Sequence, residues 1–341
     1  MVFNSENNTI RDRYRIEREL GSGGWGVTYL VTDLQAESPS DARCVVKQIR
    51  QSPHLTSEKN LDYFNNEVEA LQRLGTHSQI PSFRDSFDDE EYFYIVQEYI
   101  EGNELSQRIP EQRLTEIETI QLLTQILEIV QFIHNEGNGY VHRDLKPNNI
   151  IERPNGEIVI IDFGTVKEIS TLSITKLGDS LSLVIGAPHY IAPERGRCGG
   201  FDQHPRIDIY SIGIIGLQAI TGLDTRNLHI DPHNSGARLW SNAYDISPEM
   251  KNILCKMAHF NHEAGCRYQN VEDVLEELEE LKRVVNREDR DLEPSNAEDT
   301  SEELDETIHL EDRDLESPDV PLRRNMITRL LIWFFTGRWD Y

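Results

Sequence analysis

Two short motifs limit the folds open to this chain more than anything else in it. They are His142-Arg143-Asp144-Leu145-Lys146-Pro147-Asn148-Asn149 and, shortly after, Asp162-Phe163-Gly164. They place two carboxylates, an amide and a lysine on neighbouring loops, so a fold that serves them must bring those loops to one cleft. The set suits phosphoryl transfer. Asp144 can take the proton of an attacking hydroxyl, and Lys146 can sit against a moving γ-phosphate. Asn149 and Asp162 are hard oxygen ligands for the Mg²⁺ ions that bridge the phosphates of ATP. The rival reading is an ordinary charged loop before a strand. It would survive either motif alone but not both, in this order and at this spacing.

A chain of 341 residues that is 38% hydrophobic can hold one large domain, or two smaller ones, plus appendages. The formal charge of -26 argues against a general nucleic-acid-binding surface, because a phosphate backbone would be repelled. Cys44, Cys198, Cys255 and Cys266 form no disulfide framework and fit a reducing compartment. The start, Met1-Val2-Phe3-Asn4-Ser5-Glu6, has neither a basic n-region nor an apolar h-region, so no secretory signal is expected. No run of about 18 apolar residues occurs, so no ordinary membrane-spanning helix is expected and the location reads as cytoplasmic.

From about residue 14 to about 285, apolar-periodic segments alternate with Gly, Pro and Asn punctuation. Residues 14–20, 27–32, 44–49 and 92–97 read as short strands. A helix is expected near 63–74, where Phe64, Val68, Leu71 and Leu74 recur at helical spacing. After residue 112 helices dominate, at 117–135, 207–221, 248–258 and 271–285. The order predicts an α+β architecture, a small β-rich lobe at about 14–100 followed by a larger helical lobe at about 101–283.

Gly21-Ser22-Gly23-Gly24-Trp25-Gly26 fits G-x-G-x-x-G, a weak signal alone because dinucleotide-binding folds share it. Here the glycines lie between two strand-like runs, whereas the dinucleotide fingerprint opens a helix. A glycine-rich hairpin lets backbone N–H groups approach phosphates with no Cβ in the way. Downstream, Lys47 ends the run Cys44-Val45-Val46-Lys47, and a lysine on a buried strand needs a counter-charge. Glu67 is the expected partner, since its helical turn presents Val68 and Leu71 inward. Glu69 competes, and both can instead be solvated surface charges.

Together these motifs resemble the eukaryotic-type protein kinases, H-R-D-x-K-P-x-N then D-F-G, with a glycine-rich loop and a lysine placed as in V-A-I-K. The resemblance covers about residues 14–283 and implies the bilobal kinase fold. Lys146 in D-L-K-P-x-N is similar to the Ser/Thr kinases, and the runs 24–30 and 44–48 resemble bacterial, particularly cyanobacterial, members. It implies that Asp144, Lys146, Lys47 and Glu67 are catalytic and that Asn149 and Asp162 hold Mg²⁺. The ATP pocket would comprise Leu20, Gly21, Ser22, Gly23, Gly24, Trp25, Gly26, Thr28, Val45, Lys47 and Glu98. The family pattern of a Glu four residues before Leu favours Glu67 over Glu69. Arg143 beside the catalytic Asp implies a docking site for an activation-loop phosphate, with Ser170, Thr171, Ser173, Thr175, Ser180 and Ser182 as acceptors for autophosphorylation. Ala192-Pro193-Glu194 resembles the end of that loop, its Glu194 pairing with Arg267. Asp208 matches the aspartate that braces the catalytic loop.

One departure stands out. Where these kinases have G-T-x-x-Y, this chain has Gly186-Ala187-Pro188-His189-Tyr190. Ala187 lacks the hydroxyl that braces the catalytic loop, a bond worth about 1 kcal/mol, so lower turnover or a blurred substrate class is expected. Cys255, His259, His262 and Cys266 have zinc-ligand chemistry, but the kinase pattern places them across one helix and the following loop, and a structural role is the better reading.

The expected activity is ATP- and Mg²⁺-dependent phosphorylation of Ser and Thr hydroxyls on proteins. The alternative is a pseudokinase scaffold that binds nucleotide and signals by conformation, and a small-molecule kinase on the same fold ranks third. Residues 286–320 hold fifteen Asp or Glu against three Arg, a net of -12, and read as a disordered acidic linker. Their duplicated hexapeptide Glu-Asp-Arg-Asp-Leu-Glu, at 288–293 and 311–316, reads as low-complexity drift. Residues 321–341 surround an apolar run, Leu330-Leu331-Ile332-Trp333-Phe334-Phe335, with Arg323, Arg324, Arg329 and Arg338. This segment is expected to dock, either at an anionic membrane surface on the inner face or on a protein.

Overall fold

Antiparallel strands, two inner ones buried on both faces, build the first layer. The computed structural model describes residues 3–292 except 5–7, 24–25, 52–55, 90, 112, 138, 165–166, 169–188, 197–203, 226–227, 229–245 and 264. One seven-stranded antiparallel sheet is formed by β1 (Phe3–Asn4), β2 (Thr9–Ile10), β3 (Tyr14–Gly23), β4 (Gly26–Asp33), β5 (Arg43–Arg50), β6 (Phe83–Asp88) and β7 (Tyr92–Glu98). Its spatial order is β1-β2-β3-β4-β5-β7-β6. Between β4 and β5 lies the single turn α1 (Pro39–Ala42), capped by Ser38. Alternation along β7 sends Phe93 and Ile95 into one hydrophobic cluster and Tyr94 and Val96 into another. Helix α2 (Ser57–Leu74), capped by Thr56, covers the first face, and Phe64 stacks on Phe93 with ring centroids 4.6 Å apart.

The other face carries a second cluster of Ile10, Tyr14, Val31, Cys44, Val46, Phe87, Tyr94 and Val96. Phe87 stacks on Tyr14 and Tyr94, at 6.0 and 4.9 Å, and the Arg11 guanidinium lies 4.8 Å above the Phe87 ring. Arg13 ties the edge down by a two-bonded pair with Asp33, both at 2.8 Å. Burial pushes the Cys44 thiol up to about 11, so this cysteine behaves as a small apolar filler.

The β3–β4 hairpin pairs Gly21 with Thr28, Ser22 with Val27 and Gly23 with Gly26. Gly26 sits at φ 148°, and a Cβ there would lie 1.8 Å from the Gln48 carbonyl oxygen on β5. Gly26→Ala is therefore expected to cost about 1–3 kcal/mol of backbone strain. Thermal unfolding together with nucleotide titration checks this; both Tm and ATP affinity should fall, because the same hairpin bears the glycine loop.

Beyond β7 the apolar period lengthens from two residues to 3.6. There follow β8 (Asn103–Glu104), α3 (Leu105–Glu111), α4 (Glu116–Asn135), β9 (Tyr140–Val141), a 3₁₀ turn at Pro147–Asn149, β10 (Ile150–Glu152), β11 (Ile158–Ile160) and β12 (Lys167–Glu168). After a second 3₁₀ turn, Pro193–Gly196, come α5 (Arg206–Thr221), α6 (Pro248–Met257) and α7 (Val271–Leu292). Thr115 and Glu118 start α4 with reciprocal side-chain-to-backbone bonds, which satisfies amides the first turn cannot. Every residue of α5 except Gln218 is buried, so α5 is the central helix, and α4 and α6 pack on it. A β-rich lobe followed by a helical lobe is the kinase architecture the motifs imply.

Two boundaries differ from the sequence reading. Strands β1 and β2 precede the expected start at residue 14. Helix α7 runs to Leu292, through the point at residue 286 where the acidic linker was expected to begin and into the first copy of the hexapeptide. The rest of that stretch, the second copy and the segment 321–341 lie outside the described residues.

Candidate active site

Strand alternation aims the lysine. On β5, Cys44 and Val46 join the outer cluster, so Lys47 faces the α2 side with Val45. Lys47 Nζ donates to Glu67 Oε1 at 2.6 Å and to Asp162 Oδ1 at 2.7 Å. Glu69 is on the exposed side of α2 and takes a bond from Arg73 at 3.1 Å, so Glu67 is the carboxylate that meets Lys47. Burial draws the ammonium down, but Asp162 and then Glu67 raise it well above its usual value. The Lys47 ammonium in turn holds the Asp162 carboxyl well below the usual carboxylate range. Burial, with the nearby Asp162 charge, pushes the Glu67 carboxyl up against the pull of Lys47.

The signs define a window. Stability from Asp162 is present above its unfolded pKa and is lost as pH falls through the depressed folded value. Stability from Lys47 is present below its unfolded pKa and is lost as pH rises through the raised one. Between about pH 4 and about pH 10 the Lys47–Asp162 pair keeps both charges. A Cβ at Gly164 would lie 2.7 Å from Lys47 Nζ, so glycine leaves room for the bridge.

Helix α5 holds the catalytic loop from below. Asp208, fully buried, accepts from His142 N at 2.8 Å and from His134 Nε2 at 2.9 Å through Oδ2, and from Arg143 N at 2.8 Å through Oδ1. Burial pushes this carboxyl up, yet these donors hold it below its ordinary value. Arg143 and Asp162 both adopt left-handed backbone, at φ 73° and 66°, and Arg195 Nη1 donates to the Arg143 carbonyl. The buried His142 ring lies edge-on to Phe163 at 5.1 Å, and burial lowers its pKa, which keeps it neutral.

The loop's working groups converge. Asp144, buried, accepts through Oδ2 from Lys146 Nζ at 2.7 Å and from Asn149 Nδ2 at 3.1 Å. Asn149 Nδ2 also donates to the Asp144 carbonyl at 2.9 Å. The amide is thereby oriented, and Asn149 Oδ1 and Asp162 Oδ2 have no hydrogen bond among the described residues. Two such hard oxygens on adjacent loops fit Mg²⁺. Asn148 is exposed and donates to Glu104 Oε2 at 3.1 Å, so it serves the loop's edge.

The expected ATP wall is partly described. Gly21, Ser22 and Gly23 are exposed on β3, Leu20 beside them is 36% exposed, Thr28 is half-buried on β4 and Val45 is buried on β5. Gly24 and Trp25 lie outside the described residues. Glu98 ends β7, and its carboxylate accepts from Ser82 N at 3.2 Å and Ser82 Oγ at 3.1 Å.

Further out, Arg267 Nη1 donates to Glu194 Oε1 at 2.7 Å, both side chains buried. His259 turns Nδ1 toward Asn261, and Cys266 accepts a 3.7 Å contact from Asn261 Nδ2. Ala187 and the six hydroxyls of the activation loop lie outside the described residues. Arg195 and His134 are residues at this site that the sequence reading did not single out; neither stands in a motif.

The paired lobes and this constellation define a protein kinase domain. The protein kinase domain family model matches residues 14–274, and the chain belongs to that family, within the eukaryotic-like Ser/Thr kinases of bacteria. It is 34% identical over 281 residues to serine/threonine-protein kinase PknA of Nostoc sp., covering 79% of this chain and 47% of that protein. Serine/threonine-protein kinase B of Synechocystis sp. is 31% identical over 283 residues, covering 79% of this chain and 47% of the relative. Calcium-dependent protein kinase 8 of Arabidopsis thaliana is 33% identical over 207 residues, covering 59% and 36%. The chain thus spans about half the length of the bacterial relatives it matches.

Proposed function

We propose that this domain moves the γ-phosphoryl group of ATP onto serine and threonine hydroxyls of proteins. The observation that carries the reading is Lys47 bonded at once to Glu67 and Asp162, while Asp144, Lys146 and Asn149 form one hydrogen-bonded group. Glu67 and Asp162 fix the Lys47 ammonium where it can hold phosphate oxygens. Asp144 orients the acceptor hydroxyl and receives its proton, and Lys146 offsets negative charge on the transferring group. Asn149 Oδ1 and Asp162 Oδ2 would hold Mg²⁺, which when bound neutralises charge on the phosphates. The glycine hairpin presents backbone amides to the same phosphates.

Radiolabelled ATP and Mg²⁺ with the full chain, assayed on itself and on Ser/Thr peptides, test this reading. Label should appear on Ser or Thr, and Lys47→Met should lower turnover by about 10²–10³-fold, as when one electrostatic anchor is removed. A wild-type protein that binds nucleotide but labels neither itself nor any peptide would return the scaffold reading. We also propose that residues 321–341 dock through their apolar run, and that residues of the activation loop are autophosphorylated. Among the described residues no helix is long and apolar enough to cross a membrane.

A further inference from the structure

Asp144 follows directly on a residue in strained backbone. Arg143 stands at φ 73°, a conformation that a non-glycine residue keeps only where its surroundings over-determine it. Two partners hold it from opposite ends. Asp208 Oδ1 accepts from Arg143 N at 2.8 Å, and Arg195 Nη1 donates to the Arg143 carbonyl oxygen. That carbonyl belongs to the same rigid peptide plane as the Asp144 N–H, so whatever fixes it fixes the direction in which the chain enters Asp144.

Arg195 is itself anchored. It is 8% exposed and sits on the 3₁₀ turn Pro193–Gly196, next to Glu194. Glu194 is pinned by Arg267, and Arg267 Nε donates to His259 O at 2.8 Å on the loop after α6. A guanidinium donating to a carbonyl in a largely water-free setting is a strong, charge-assisted bond. The carbonyl of Arg143 is therefore referred to the turn Pro193–Gly196, while Asp208 of α5 holds the amide side.

We propose that Arg195 is a positioning residue for phosphoryl transfer: by clamping the Arg143–Asp144 peptide it aims the Asp144 carboxylate. It couples that aim to the turn that closes the activation segment. The inference rests on Asp144 as the proton acceptor.

The test is steady-state phosphotransfer by the full chain, with ATP and a peptide substrate varied separately, in Arg195→Met, Arg195→Lys and Asp144→Asn. Arg195→Met should lose about 10–100-fold in kcat, the scale of a small misplacement of a catalytic group, with the KM for ATP unchanged. Arg195→Lys should recover part of the loss, because an ammonium can still donate to one carbonyl. If Arg195→Met does not fold, Arg195→Gln against Arg195→Lys makes the same comparison. A kcat for Arg195→Met within twofold of wild type overturns the proposal. So does a joint loss of kcat, ATP affinity and Tm in which lysine does no better than methionine. Wild-type turnover in Asp144→Asn would instead remove the reading of Asp144 on which the proposal rests, whatever the Arg195 variants do.

Discussion

Asp144→Asn should lower kcat by about 10²–10⁴-fold, the usual contribution of a positioned general base, while leaving the fold and nucleotide binding nearly intact. Asparagine has the shape of aspartate, and its carbonyl oxygen can take the place of Oδ2. Lys146 Nζ and Asn149 Nδ2, now at 2.7 and 3.1 Å, would keep an acceptor. What is lost is the capacity to accept a proton, together with the charge opposite Lys146. The effect should therefore fall on kcat and spare the KM for ATP. Single-turnover labelling beside nucleotide-dependent thermal shifts separates the two. More than a tenth of wild-type turnover in the variant would mean that the acceptor hydroxyl is activated elsewhere.

Arg267→Met should have the largest effect on stability, about 3–5 kcal/mol, because it leaves a buried carboxylate behind. Glu194 is 2% exposed and Arg267 1% exposed. With Arg267 gone, the nearest cation to Glu194 Oε1 among the described residues would be Arg206 Nε at 3.6 Å, and Glu194 Oε2 already has no hydrogen-bond partner among them. Arg267 also donates to the His259 carbonyl and lies 4.8 Å over the Tyr210 ring, so methionine replaces packing volume but none of these bonds. Domains of this kind have a total stability of about 5–15 kcal/mol, so the loss is a large share of it. Urea unfolding measures the difference. Adding Glu194→Gln should restore part of it, because the stranded charge is the main cost. A loss under about 1 kcal/mol would show that Arg206 moves in to neutralise Glu194.

Much of the site could be read from the sequence because its chemistry demands particular residue types at fixed spacing. The catalytic loop and Asp162 stand in motifs, Lys47 ends a strand pattern, and two positions along a helix, just over half a turn, separate the inward face of Glu67 from the outward face of Glu69. Asp208 likewise stands where a motif puts it. Arg195 was silent for a physical reason: a long polar side chain after Glu194 reads as surface, and only the folded chain brings it to the Arg143 carbonyl. Strands β1 and β2 are two residues each, too short for any period to register. Helix α7 outran its expected end because the sequence argument followed burial, which fades after Val285. Its continuation is a charged stretch with no apolar period to follow.

The outer face of the sheet separates two units that usually coincide. The match to the family model begins at Tyr14. The stretch that keeps water off Phe87 and Tyr94 begins earlier, since Ile10 is fully buried in that cluster and Arg11 lies over the Phe87 ring. In the order of synthesis this cover is made before the aromatic rings it shields. The family match starts at one residue, and the packed sheet draws on the chain from a few residues before it.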